Sequence, residues 1–387
     1  MDSVKGHTAA QPCAAATAWV LVGTQAALRA LAPLIDAHRA VRPVRLWPVS
    51  QQMAQDPSHA LLRAAAQDAA AILLVGSRQR TPRRMLPGLF VFPRVQPISD
   101  ASPIPRQGAR MSPQAVPIGW VPDVGAAGLA RFAHAAAVLQ ARAAAHLARG
   151  PIALLGQWED RTLRMAGRTE VLLRAPVGTG AAGDASTLPG GADGTARRAQ
   201  PMQILRWTAD RIVRRDLLVA LRMGLGVALY LGHGRPIGWA GYHGLHTRHL
   251  RHARGEPQGT VLTLACDVGR RPQSGLGFAE TLMVEGIAAS ALGAVDRTLH
   301  IDNSHFVIDL CHALRAGAQT LADLVLAARR PGQPDRARCE RRYRIFGDPL
   351  APLLGSLDAH ECASQVFAPG PDELLPPSPD AQGHAPT

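Results

Sequence analysis

Lysine is almost missing from this chain: Lys5 is the only one among 42 basic residues, so all the others are arginine. Only 29 acids oppose them, giving a formal charge of +13, and Ala, Gly and Pro are abundant, as GC-rich coding produces as readily as selection for charge. Aromatic residues are also scarce, at 4%. A basic domain binds phosphate backbones by counterion release, but it needs arginines gathered on one face, with rings between them where single strands stack. Here the arginines are scattered and the rings few, so a nucleic-acid partner is not expected. Cysteine pairs are lacking too. Cys13, Cys266, Cys311, Cys339 and Cys362 are odd in number and widely spaced, without the CxxC pairs of zinc sites, which reads as free thiols in a reducing compartment and a cytoplasmic protein. The one apolar run near the N-terminus is short and leads straight into folded-looking sequence, so neither a signal peptide nor a membrane partner is expected. What remains is 47% hydrophobic residues over 387 positions, enough for a large core in two or three domains or in one large α/β domain.

Short β-branched or Leu-rich runs alternate with Ala-rich stretches of helical periodicity, the pattern of an α/β fold with a mostly parallel sheet flanked by helices. The pattern predicts strands at 18–23, 43–49, 70–76, 115–121, 151–156, 169–175, 226–232 and 260–266. Helices are expected at 25–38, 59–67, 125–147, 209–223, 278–290 and 303–316. Segment 176–200 is rich in Gly, Ala and Pro without periodicity and reads as a flexible insertion. Residues 1–16 read as disordered, 357–387 as a Pro-rich C-terminal tail that is disordered from about Phe367, and the Pro- and Arg-rich stretch 77–114 as a long loop.

Two of the strands end in reactive groups. VALYL runs into Gly232-His233-Gly234, and TVLTLA into Cys266-Asp267. Ligands of open parallel sheets bind beyond the carboxyl ends of the strands, so neighbouring strands would bring imidazole and thiol to one edge as a Cys/His dyad. A thiolate attacks a peptide carbonyl, and the imidazole protonates the leaving amine. The N–H groups of Gly234 and Cys266 could form an oxyanion hole. Trp239, Tyr242, His243 and Asp267 would then wall the cleft. Each half has a plain structural reading as well: a cysteine ending an apolar strand is usually core, and Gly-His-Gly is usually a turn. The histidines at 243, 246, 249 and 252 follow at helical spacing without cysteines or carboxylates, so they read as an exposed helix face rather than a metal site. Asp348 reads as a turn cap before Pro349. Asn303 to His305 and Asp309 could line the far side of the cleft, with no motif to fix their role.

LYLGHGRPIGW (229–239) resembles the histidine motif of gingipain-type cysteine peptidases of the caspase-like clan, and TLACDVG (263–269) resembles their cysteine motif. GFAETLM (277–283), RIFGDPLAPL (344–353) and the segment 116–142 are similar to flanking elements of that family in the same order. The resemblance spans about residues 70–355. It implies Cys266 as nucleophile, His233 as general acid and base, Gly234 as oxyanion donor and Trp239 as a wall of the S1 pocket, with no cofactor or metal. It also implies a caspase-like (caspase-hemoglobinase) fold with an N-terminal subdomain at 17–150 and a catalytic subdomain at 151–356.

The chain also departs from the family. Arg-directed members place an acidic S1 residue after the strand matched here by AILLVG, where this sequence has Gly76-Ser77-Arg78-Gln79-Arg80. An arginine at 80 disfavours a basic P1 residue and suits an acidic or neutral one. No pro-segment or trailing domain is legible, so the chain reads as an intracellular catalytic core whose activity needs a gate, with 176–200 as one candidate self-processing linker. By analogy with clan relatives, the setting is a bacterial effector protease acting on a protein or peptide substrate, such as a dedicated partner encoded nearby. Two alternatives stay open: a catalytically silent caspase-like scaffold and an arginine-rich nucleic-acid binder.

Overall fold

The strand-forming runs pair into one sheet in a computed structural model of the chain, which describes residues 17–93, 115–145, 150–175 and 202–355. Ten strands lie on one path: β1 Ala18–Gly23, β2 Val44–Pro48, β3 Ala69–Ser77, β4 Val116–Asp123, β5 Ile152–Gly156, β6 Ile204–Thr208, β7 Val227–Leu231, β8 Gln258–Leu264, β9 Ala288–Ala294 and β10 Tyr343–Gly347. Their order is β2-β1-β3-β4-β10-β9-β8-β7-β5-β6, and Phe90–Val91 pairs antiparallel with the start of β4. All neighbours on the path are parallel except β9 and β10. The sheet therefore consists of two parallel halves, with β10 hydrogen-bonded to the last strand of each.

Both faces of the sheet are covered by helices, so the central strands are apolar on both sides. In β5, Ile152 and Leu154 face one side with Leu229, Leu264 and Phe306, while Ala153 and Leu155 face the other with Tyr230 and Trp239. This period of two sets which residues can meet at the strand ends.

Several expectations are corrected. TEVLLRA (169–175) is the end of helix Asp160–Arg174, because Thr162, Ala166, Thr169 and Leu173 are its buried positions and Glu170 pairs with Arg174 one turn on. The helix expected to run to 290 stops at Val284, and AASALGA forms β9, where burial on both faces of a central strand overrides alanine's helix preference. The helix expected at 25–38 is two, Gln25–Ala30 and Ala32–Arg39, with Pro33 in the first turn of the second. Strands β6, β9 and β10 were not anticipated. Within the stretch 77–114, Pro82–Met85 form a helix and Phe90–Val91 a strand, and residues 94–114 lie outside the described residues. Segments 1–16, 176–200 and 357–387 lie outside the described residues.

Candidate active site

Strands β7 and β8 are parallel neighbours, with Leu231 opposite Leu264 at their last paired positions. His233 and Cys266 each follow two residues later, so the shared register carries them to the same edge at the same height. Leu229 and Leu231 share a face with Leu262 and Leu264, the face covered by helices Asp160–Arg174 and His300–Arg315. The contacts of the two reactive groups agree with that placement: Cys266 meets Thr298, just before the second helix, and His233 meets Glu159, the N-cap of the first. The two loops also touch directly. A Cβ at Gly234 would lie 2.4 Å from the carbonyl oxygen of Cys266 and 2.7 Å from Val268, so only glycine permits this approach.

His233 is held by its backbone while its ring stays open. Its N–H donates to Gln157 Oε1 at 3.1 Å, and its carbonyl accepts from Tyr230 Oη at 3.0 Å. The ring is exposed, with Nε2 3.4 Å from Glu159 Oε2, and Gln157 Nε2 donates to the other Glu159 oxygen at 3.2 Å. Gln157 thus fixes both the histidine and the carboxylate beside it. Glu159 was missed in the sequence. The available signal was the polar QWED that ends β5, but its relevance depends on β5 lying next to β7.

Cys266 is half-buried. The Thr298 N–H donates to Sγ at 3.3 Å, and the Thr298 carbonyl lies 3.6 Å from the sulfur. Thr298 is held in turn, since Asn303 Nδ2 donates to its Oγ1 at 3.0 Å and Tyr343 Oη donates to Asn303 Oδ1 at 2.8 Å. Burial raises the Tyr343 phenol well above its ordinary range and keeps it a neutral donor. Asp267 turns the chain sharply with φ 60°, a left-handed conformation rare for a non-glycine residue, and its N–H donates to Asp296 O at 3.3 Å. The other two cysteines described here, Cys311 and Cys339, are buried thiols pushed up to about 12.

The expected cleft walls separate into two sets. Trp239 is 1% exposed, stacks on Tyr230 at 4.3 Å and donates from Nε1 to Thr263 Oγ1 at 3.2 Å, so it lies in the core beneath the site and does not wall an open cleft. Tyr242 is equally buried, with its hydroxyl accepting from Gly156 N–H at 3.0 Å. His243, by contrast, is exposed and packs 5.6 Å from the half-exposed ring of Trp158, next to Glu159. The histidines after it form no single helix. Tyr242 and His243 are left-handed, and a short strand, a helical turn and a 3-10 turn follow. Among the described residues no group of His, Cys, Asp or Glu is placed to hold a metal ion. Arg80 is exposed in the turn after β3. Its loop docks near the site: Arg271 donates to the Arg78 carbonyl, and Arg83 pairs with Asp296 at 3.1 Å. Asn303 acts through Thr298, whereas Asp309 pairs with Arg336 away from the sulfur.

The family model for peptidase family C25 matches residues 156–354, which contain Gln157, Glu159, His233, Cys266 and Thr298. Among solved structures, the Arg-specific cysteine proteinase gingipain R is similar over 89% of this chain and 80% of its own, at 14% identity and a TM-score of 0.58. The complex of Porphyromonas gingivalis RgpB pro- and mature domains matches over 86% and 79% at 14% identity and TM-score 0.58. A further structure described as a protease matches over 87% and 78% at 11% identity and TM-score 0.57. These likenesses establish the caspase-like fold. A search of curated proteins finds no match. Among the described residues, no helix is long and apolar enough to cross a membrane.

Proposed function

The chain belongs to peptidase family C25 and is a cysteine endopeptidase, and from that premise we propose that Cys266 and His233 are its catalytic pair. The carrying observation is the shared register of β7 and β8, which delivers both residues to one edge. In this reading the Cys266 thiolate attacks the carbonyl carbon of the scissile bond, and the N–H groups of Gly234 and Cys266 receive the oxyanion. His233 then gives its proton to the leaving amine as the C–N bond breaks. An acyl thioester remains on Cys266. Water attacks it while His233 takes the water's proton, releasing the acid and regenerating the thiol pair. No cofactor enters this scheme.

We assign the imidazole a positioning partner in Glu159, and Asp267 and His243 the sides of the cleft. For P1 we propose an acidic or neutral residue. That assignment is supported by Arg80 and by the contacts of its loop with Arg271 and Asp296. The setting proposed is an intracellular effector protease with a dedicated protein substrate; the unpaired thiols at Cys266, Cys311 and Cys339 fit the reducing compartment of that setting.

Mass spectrometry of proteins cleaved by the wild type and by Cys266→Ala tests the dyad and P1 together. Cleavage products should vanish in Cys266→Ala and fall at least about 100-fold in His233→Ala. A peptidyl electrophile should label Cys266, spare Cys311 and Cys339, and fail in His233→Ala. Products ending in arginine would refute the P1 assignment, and full activity of Cys266→Ala would refute the dyad.

A further inference from the structure

Helices Asp160–Arg174 and His300–Arg315 pack side by side and both begin at the edge where the reactive pair emerges. Between them is a cavity of about 250 Å³. Its floor includes Met165 and Val307, and its rim carries Arg161, Arg164, Arg168 and His300. The three arginines are spaced three and four residues apart, on one face of their helix, and all are exposed. Among the described residues no carboxylate forms an ion pair with any of them; Glu170 is engaged by Arg174 and Arg206, and Glu159 by His233.

One end of the cavity, at Arg161 and His300, lies toward the reactive pair. Thr298, which donates to the Cys266 sulfur, is two residues before His300, and Glu159, beside His233, is two residues before Arg161. Burial, then the charges of Arg161 and His233, hold the His300 imidazole below its usual range, so this end is within electrostatic reach of the histidine of the dyad. From Arg161 to Arg168 the helix rises about 10 Å, the length of about three extended residues.

We propose that this groove binds an acidic segment of the polypeptide substrate, lying within about four residues of the scissile bond. Asp or Glu side chains of that segment pair with Arg161, Arg164 and Arg168, and an apolar side chain between them rests on Met165 and Val307. Arginine suits the task because its planar fork meets a carboxylate with two parallel hydrogen bonds. Three unpaired cations around an apolar floor select against basic segments by repulsion and against purely polar ones by leaving the floor uncovered. The location of the groove beside a scissile bond rests on the peptidase reading, whereas binding of an acidic peptide does not.

The test uses the full chain carrying Cys266→Ala, which binds without cutting. A fluorescein-labelled peptide containing Asp-Leu-Glu should bind at least tenfold more tightly than its Asn-Leu-Gln counterpart by anisotropy, with the difference shrinking as salt is raised. Arg161→Glu/Arg164→Glu/Arg168→Glu should abolish the difference, and Arg164→Gln alone should reduce it; circular dichroism checks the fold. Equal binding of the two peptides, or a preference that survives the triple reversal, would overturn the groove. Labelling of wild-type Cys266 by the peptidyl electrophile reports separately on the peptidase reading. A labelled cysteine without acidic preference removes the groove alone, and acidic preference without labelling removes the peptidase reading alone.

Discussion

A carboxylate 3.4 Å from an imidazole nitrogen, with its other oxygen held by a glutamine amide that shares its side chain with the histidine backbone, is a device for orientation. Glu159 touches no reacting atom in the proposed scheme, so its contribution is to the angle of the His233 ring. Misplacement of a catalytic group by about 1 Å costs roughly 100-fold in rate. Glu159→Gln should therefore lower kcat by 10- to 100-fold, of the order expected for losing a well-placed general acid, with KM nearly unchanged. Glu159→Asp should recover part of that loss, and the thermal midpoint should stay put because the side chain is half exposed. A rise in KM at constant kcat would instead make Glu159 a substrate contact.

At the scale of elements, the His233 and Cys266 loops are built to interlock, and Gly234 is where they meet. Overpacking a close contact of this kind costs about 1–3 kcal/mol, so Gly234→Ala should lower the melting temperature and abolish turnover by pushing the Cys266 carbonyl away. A calorimetric scan and a peptide assay check it, and a fully active Gly234→Ala protein would show that the approach is dispensable. The reactive strand ends were legible because each is a short apolar run with an abrupt polar stop, and strand order then made them neighbours. Glu159 and Thr298 were not legible, because their roles come from β5 lying beside β7 and β9 beside β8, which no local pattern records. The misread at 169–175 has a similar origin: Val171, Leu172 and Leu173 look like a strand until burial is known, and Val171 proves to be 71% exposed. Trp239 was expected as a cleft wall and is buried against Tyr230 and Thr263 instead, since sequence does not give depth. Segments that resembled flanking family motifs turn out to be fasteners. Trp120 donates to Glu280 at 2.9 Å, and Arg271 closes a buried pair with the same glutamate.

Those fasteners bind the molecule as a whole, because they join β4 in one half of the sheet to the loop and helix between β8 and β9 in the other. β10 is the seam, and Asp348, the residue after it, is held from the other half. Its Oδ2 lies 2.8 Å from His38 Nε2 and accepts from Gln140 Nε2 at 3.2 Å, while Oδ1 accepts from Leu350 N–H at 3.0 Å, as a turn cap would. His38 and Asp348 are both fully buried, and the His38 ring stacks on Trp19 at 3.9 Å. Burial opposes ionisation of the Asp348 carboxyl, but the charge and hydrogen bond of His38 outweigh it and hold the carboxyl below its ordinary range. Removing one member of such a pair costs about 3–5 kcal/mol, whereas replacing both with apolar residues of similar volume costs less. Asp348→Ala should therefore destabilise the chain more than His38→Leu/Asp348→Leu does, measured as denaturant midpoints. The depressed carboxyl also fixes the sign of the acid response. An aspartate that is more acidic in the folded than in the unfolded chain contributes its full stabilisation above the unfolded value near 3.9, and loses it as pH falls through the lower folded value. Wild-type stability should thus drop from about pH 5 downward, and the drop should be shallower in His38→Leu/Asp348→Leu. Parallel pH profiles of the two proteins would mean that the seam is held by β10 pairing and the Trp120–Glu280–Arg271 contacts alone, with the buried pair contributing no net acid sensitivity.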